Sequence, residues 1–436
     1  MAGEPAGKGV RQLRAEDFER KTPIYCVWEI TLACDLGCRH CGSRAGDVRP
    51  DELSTDECLE VVAQLADMGL REVTLIGGEA YLREDWDIIA REITRRGMAC
   101  GITTGARNLT QERVDRAADA GVRTISVSID GLEKTHDAQR GRKGSFRAAI
   151  EAAERVAASP IRLANNTQIN RMSMPELPAL AQILADIGSK AWQIQITVAM
   201  GRAADRPELL LQPYELLELF PMLVWIKKTI LEPGGVGLYP GNNVGYFGPW
   251  EKYLRFGGDS GAHWNGCGAG TYTLGLEADG KIKGCPSLPS TAFTGGNIRD
   301  MKIADAVSNS EQINHIGQRG VDDLWGYCKE CYYADICKAG CTWTSYCLLG
   351  RSGNNPYCIH RATEFEKMGL RETVVKVEAA PGKPFDNGRF EIVVEPFPDD
   401  DVPSISGFSM EDVLALNAQS LSAWPREEIA KFLRHR

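Results

Sequence analysis

The stretch TLACDLGCRHC, residues 31–41, constrains this chain more than any other. It sets Cys34, Cys38 and Cys41 in a C-x3-C-x2-C array directly after the apolar run Tyr25–Ile30. Three thiolates on one short loop can hold three irons of a cubane cluster and leave the fourth iron without a protein ligand. Structural metal sites close their coordination sphere, whereas reactive ones keep a position free. An iron left open in this way can be chelated by the amino and carboxylate groups of a methionine-type ligand. The plainer alternatives are half of a zinc site or three buried cysteines.

The rest of the composition narrows the class. With 436 residues, 43% apolar and 25% charged, the chain has room for two or three globular domains. Its 50 basic against 59 acidic residues give a net charge of −9, and no basic run stands out, which argues against nucleic-acid or anionic-membrane binding. No uninterrupted apolar stretch of about 18 residues predicts a transmembrane helix, and the first 21 residues lack the apolar core of a signal. The expected location is the cytoplasm, where fourteen cysteines are wrongly placed for disulfides. Ten of them fall into motifs; Cys26, Cys58, Cys100 and Cys347 read as small buried side chains.

From Thr22 to about Thr197, short β-branched runs alternate with stretches of helical spacing. The runs are Tyr25–Ile30, Glu72–Ile76, Ala99–Thr103, Thr124–Ile129, Arg162–Ile169 and Ala191–Thr197. Ser54 with the acidic turn behind it starts the first helix, Leu59, Val62, Leu65 and Met68 form its expected apolar face, and Gly69 stops it. Such alternation predicts parallel strands with crossover helices, here an α/β fold with a partial (β/α)6 barrel. In such barrels the chemistry sits at the C-terminal strand ends. Cys34–Cys41, Gly77–Glu79, Thr103–Gly105, Ser128–Asp130 and Gln195–Thr197 all follow or end an expected strand, so all would line one mouth. Pro213–Leu231 reads as one helix with an internal Pro221, and the turn residues from Glu232 to Asn243 mark a boundary.

A second cysteine region follows: Cys267, Cys285, then Cys328-x2-Cys331-x5-Cys337-x3-Cys341, then Cys358. C-x2-C pairs also suit zinc ribbons. The expected divisions are a tail over 1–22, the barrel over 23–235, a small Cys-rich domain over 236–365 and an extension over 366–436. The extension reads as two strands, Thr373–Glu378 and Arg389–Glu395, an acidic break at Asp399–Asp401, and helices over Met410–Gln419 and Pro425–Arg434. It suits a small cap or a docking element. The loop Tyr239–Trp250 suits either a surface along an extended chain or a packed interdomain linker.

The array Cys34-Cys38-Cys41, the Gly77-Gly78-Glu79 segment and Ser128-Ile129-Asp130-Gly131 together resemble the radical S-adenosylmethionine (SAM) family over about residues 24–235. His40 stands where that family usually has Phe or Tyr, and Ala80 where it usually has Pro. The resemblance implies SAM and a [4Fe–4S] cluster on Cys34, Cys38 and Cys41. It places Gly77, Gly78 and Glu79 at the methionine end of the cofactor. His40, Thr103, Ser128, Asp130, Arg140 and Gln195 would be the further contacts, with His136 beside Arg140. The second region, about residues 260–365, resembles the SPASM extension of the same family, whose peptide-maturase members it matches in seven cysteine positions. That implies two auxiliary clusters, one on Cys328, Cys331, Cys337 and Cys358, the other on Cys267, Cys285 and Cys341 with a site open or filled by another group. Cys347 competes with Cys358 as the last ligand. Pro286 replaces the acid that follows the second SPASM cysteine in sulfatase maturases, which argues against that reaction.

The function so implied is reductive cleavage of SAM to a 5′-deoxyadenosyl radical that takes hydrogen from a ribosomally made peptide or a protein side chain. The alternative is a small-molecule radical dehydrogenase; an electron-transfer or zinc scaffold is a third reading, disfavoured by the GGE and SIDG segments. Implied partners are the peptide, a reductant such as flavodoxin or ferredoxin, and a separate leader-binding protein, because only about 33 residues precede Cys34. No residue declares itself as the catalytic acid or base.

Overall fold

Runs of Val, Ile and Trp with little charge favour strands buried on both faces, and those runs form the centre of the molecule. In the computed structural model, which describes residues 11–255, 263–264 and 266–398, they become β1 (Tyr25–Glu29), β2 (Glu72–Ile76), β3 (Ala99–Thr104), β4 (Thr124–Ser128), β5 (Arg162–Ile169) and β6 (Ala191–Ile196). Consecutive strands pair in parallel, Trp28 beside Leu75, Ile102 beside Ile125 and Thr167 beside Ile194. A helix crosses over between each pair, from Thr55–Asp67 between β1 and β2 to Leu177–Asp186 between β5 and β6. Trp28, Val73, Leu75, Ile125, Val127, Trp192 and Ile194 are wholly buried between sheet and helices. Cys26, Cys58 and Cys100 lie in the same apolar core, as small buried residues do.

The sheet does not stop at six strands. Beyond residue 235, β7 (Gly237–Pro240) pairs in parallel with β6, and β8 (Thr273–Leu276) pairs in parallel with β1. Antiparallel β9 (Lys281–Lys283) and β10 (Thr294–Asn297) extend that edge. The order is β10-β9-β8-β1-β2-β3-β4-β5-β6-β7, so the Cys-rich segment is stitched to both sides of the barrel strands.

Two local expectations shift, and one left open is decided. The helix Thr55–Asp67 has the expected capping box, with Glu57 N–H donating to Ser54 Oγ and Ser54 N–H to Glu57 Oε2, and Gly69 in the left-handed region behind it. Its buried face, however, is Cys58, Val61, Val62 and Leu65, with Leu59 and Met68 only half-buried. The expected helix Pro213–Leu231 is a 3-10 turn (Pro213–Glu215), an α-helix (Leu216–Ile226) and a π turn (Lys227–Leu231). Pro221 supplies no N–H to the ladder inside it. Among the described residues the segment Pro207–Leu231 is long and apolar enough to cross a membrane, yet 72% of its apolar window is covered by the fold. Finally, Tyr239–Trp250 is a packed junction: Asn243 exchanges hydrogen bonds with the backbone of Ile196, and Tyr246 is buried.

β11 (Leu370–Glu378) and β12 (Arg389–Pro396) form a separate antiparallel hairpin. The buried ion pair Arg361–Glu372, at 2.5 Å, ties it to the helix Ile359–Lys367. The acidic break at 399–401 and the helices expected over 410–419 and 425–434 lie outside the described residues.

Candidate functional site

The cysteine loop begins where β1 ends and is closed on itself, with Cys34 N–H donating to Gly46 O and Gly46 N–H to Leu32 O. Arginines from the turns after β3 and β6 hold its carbonyls. Arg107 donates to Asp35 O, and Arg202 donates through Nε to Cys38 O at 2.8 Å and through its backbone N–H to Cys41 O at 2.9 Å. Arg202 sits in a short 3-10 turn after β6 with no motif around it, so nothing in its sequence neighbourhood signals this clamp.

Beneath the loop the strand end of β2 comes unusually close. Gly78 N–H donates to Thr31 O and Glu79 N–H to Ala33 O. A Cβ on Gly78 would stand 2.1 Å from Ala33 O, so only glycine permits the approach. The result is a cleft of about 460 Å³ lined by Cys34, Cys38, Cys41, His40, Gly77, Gly78, Glu79, Gly105 and Arg140. Glu79 is buried; Gly105 N–H donates to its Oε2 and the Thr104 hydroxyl also favours the carboxylate, while Oε1 has no hydrogen-bond partner. Burial lifts its carboxyl to about 7. The group is therefore a buried acceptor that gains by meeting a cation.

A buried polar chain forms the opposite wall. Arg140 bonds Asp130 at 2.6 Å, His40 Nε2 stands 3.2 Å from the same carboxylate, and Arg140 also donates to Cys38 Sγ at 3.7 Å. Burial alone would raise the Asp130 carboxyl, but Arg140 and His40 outweigh it and hold the group well below the carboxylate range. Burial, then Arg140, pushes His136 down to about 3; the neutral ring accepts from Asp130 N–H through Nδ1. Ser128, Thr103 and Gln195 stand half-buried on the same strand ends, outside the lining of this cleft.

Burial pushes the Cys34 thiol to about 12 and raises Cys38. Such thiols ionise when a cation compensates them, as coordination does. Among the described residues no three Cys, His, Asp or Glu side chains already converge as a single-ion site. A cubane does not ask for that, since each thiolate meets a different iron.

The later cysteines divide into two groups. Cys328, Cys331, Cys337 and Cys358 line a second cleft of about 370 Å³, walled by Tyr246, Phe247, Tyr333 and His360. Backbone N–H groups of Asn355 and Tyr333 point at Cys328 Sγ and Cys331 Sγ. Cys267, Cys285 and Cys341 are mutual electrostatic neighbours elsewhere, with burial raising Cys267 to about 12 and Cys285 to about 11. Cys347 neighbours Cys341 and Cys285, not the second cleft, and is completely buried.

Residues 28–178 match the radical SAM superfamily. The chain carries a radical SAM domain. Over 350 residues it is 29% identical to the AdoMet-dependent heme synthase of Methanosarcina barkeri, covering 78% of this chain and 97% of that one. It is 27% identical over 357 residues to mycofactocin maturase MftC of Mycolicibacterium smegmatis, covering 79% and 85%. Among solved structures, Streptococcus suis SuiB bound to S-adenosylmethionine superposes with a TM-score of 0.61 at 16% identity, over 78% of this chain and 76% of that one. SuiB has also been solved with precursor peptide SuiA, with a TM-score of 0.60 at 15% identity, over 79% and 77%. At that identity the likeness is one of fold. The radical SAM domain covers the cysteine loop, the GGE segment and the Asp130–Arg140 wall, and it identifies the chain as an enzyme that uses SAM and a [4Fe–4S] cluster.

Proposed function

We propose that this radical SAM enzyme modifies a ribosomally made peptide or a protein side chain. One observation carries the chemical half of the reading: three cysteines share a cleft with an unpartnered, buried carboxylate oxygen on Glu79. Cys34, Cys38 and Cys41 would hold the cluster, and Gly77, Gly78 and Glu79 the methionine end of SAM, with Glu79 Oε1 free for its ammonium. When bound, the pair supplies a 5′-deoxyadenosyl radical from reductive sulfonium cleavage. The chain's own residues do the rest. Arg140 steadies the Cys38 sulfur, Asp130 fixes Arg140 and His40, and the Arg202 clamp keeps the loop in place while water is kept from the cleft.

Two auxiliary clusters belong to the same reading. Cys328, Cys331, Cys337 and Cys358 fit one by sharing a cleft whose backbone N–H groups face sulfur. Cys267, Cys285 and Cys341 would hold the other with one iron open. Cys347 stays outside the four-cysteine cleft, which favours Cys358 as that cluster's last ligand. A flavodoxin- or ferredoxin-type reductant and a separate leader-binding protein complete the reaction.

The peptide half is supported by the likeness to MftC, named a maturase, and by the fold shared with SuiB, solved with a precursor peptide. The likeness to heme synthases favours a second reading, a tetrapyrrole substrate. The experiment is anaerobic turnover with SAM and deuterated candidates, reading deuterium in 5′-deoxyadenosine. Label from a candidate peptide supports the first reading. Label from a haem precursor, with none from peptides, replaces it with the second.

A further inference from the structure

The loop between β11 and β12, residues 379–388, reaches the mouth of the sheet. Gly201 N–H donates to Asp386 O at 2.7 Å, and Met200 bridges to Asn387. The Asp386 carboxylate accepts from Arg44 Nε at 2.6 Å, and Arg44 also pairs with Asp205 at 2.6 Å. These anchors touch the cysteine loop itself: a Cβ on Gly201 would lie 2.4 Å from Cys41 O, and Arg44 N–H points at the same carbonyl.

From this latch Phe385 turns inward. It packs, as Trp343 does, against the buried cluster of Val198, Met200 and Cys347. Its ring lies 4.7 Å from the Lys283 ammonium and 5.1 Å from the Arg49 guanidinium. Those cations are fixed by Glu277 and Glu29, the first just past β8 and the second at the end of β1. On the far side Trp343, Cys267 and Cys285 all pack against one small core of Ala269, Leu288, Phe293 and Ile316. Phe385 thus occupies ground between the first cysteine loop and the Cys267–Cys285–Cys341 group. Its φ of 58° is left-handed, a conformation that a bulky residue holds only when its surroundings impose it.

We propose that loop 379–388 is a gate over this mouth and that Phe385 sets the size of the substrate group that can pass. Opening releases the Asp386 contacts and relaxes the backbone at Phe385, and it exposes the path between the two cysteine groups. The gate stands whichever substrate class is right.

Cys347 is the reporter, because it is wholly buried in the cluster that Phe385 covers. The iron-loaded enzyme is treated anaerobically with iodoacetamide, and labelling at Cys347 is read by peptide mass mapping. Phe385→Ala is expected to raise its rate about tenfold or more, and Phe385→Leu to restore most of the protection. Asp386→Ala, which keeps the ring and removes the latch, is expected to raise the rate as well. In the unmodified enzyme the Gly201 amide is expected to exchange with solvent about tenfold faster than the β6 amides behind it. The proposal is overturned if Asp386→Ala labels at the unmodified rate, or if Gly201 exchanges as slowly as β6. Neither measurement uses a substrate or depends on Phe385→Ala folding, so the result is independent of the peptide reading.

Discussion

Replacing Glu79 with Gln should stabilise the SAM-free enzyme at high pH while weakening SAM binding. Burial holds the Glu79 carboxyl at about 7 in the fold against an ordinary 4.5. Between those values the unfolded chain has released the proton and the folded chain still holds it. Folding stability therefore falls as pH rises through this window, and the loss is complete above it. A gap of about 2.5 at 1.36 kcal/mol each comes to roughly 3 kcal/mol. A Gln at position 79 keeps an acceptor for Gly105 N–H and has nothing to ionise. Urea midpoints of the iron-loaded, SAM-free proteins should nearly coincide around pH 5. By pH 8 the Glu79→Gln protein should be ahead by roughly 3 kcal/mol. An ammonium partner reverses the sign, since it favours the ionised carboxylate. SAM affinity by equilibrium dialysis should then fall by about 1.5–3 kcal/mol, the size of a hydrogen bond to a charged group. Parallel pH profiles for the two proteins would refute the claim that a carboxylate with a free Oε1 is held there for a cation.

Gly78→Ala should cost about 1–3 kcal/mol in stability and abolish measurable SAM binding, because its Cβ would meet Ala33 O at 2.1 Å and Leu32 O at 2.5 Å, both backbone atoms. Cys328→Ala should lower reconstituted iron by about four of about twelve atoms and leave SAM cleavage measurable, while Cys347→Ala should leave the iron count unchanged. Arg140→Met should cost about 3–5 kcal/mol by stranding Asp130 in the interior. It should also make the cluster harder to reduce in a potentiometric titration, since the N–H directed at Cys38 sulfur is gone.

The parallel strands were legible because a strand buried on both faces needs an uninterrupted β-branched run, and the runs ended within a residue or two of β1 to β6. The first helix shows where such reading stops. Its cap was written in Ser54 and Glu57, but its face is rotated to Cys58 and Val61, because residues on the rim of an amphipathic stripe bury only where a neighbour covers them. The extra strands were missed for a related reason. β7, β8 and β9 are four, four and three residues long, with glycine and lysine in them, and β8, which places β9 beside it, takes its own position from β1 far away in sequence. The auxiliary cysteine groupings came from the resemblance to the SPASM extension, whereas the Arg202 clamp joins residues more than 160 positions apart and leaves no local pattern.

The same long-range pairing explains how one chain holds two cysteine regions in fixed relation. β8 lies in register against β1, Tyr25 beside Thr273 and Trp28 beside Leu276, and Cys285 follows β9, the antiparallel strand paired to β8, so both cysteine regions hang on one sheet. Where these strands end, Arg49 bonds Glu29 at 2.8 Å and approaches Glu277 and Asp279, and Lys283 bonds Glu277 at 2.6 Å with almost no exposure. Burial raises Glu29 to about 7 even with Arg49 beside it, so the pairing does not fully offset the desolvation of that carboxyl. An apolar core would fill this space at lower cost. What the charges add is register: a shift of β8 along β1 by one residue would turn Glu277 to the other face of the sheet and leave Arg49 and Lys283 without that partner. The network thus penalises a one-residue slip of β8 along β1, and with it any change in how the two cysteine regions are set against each other.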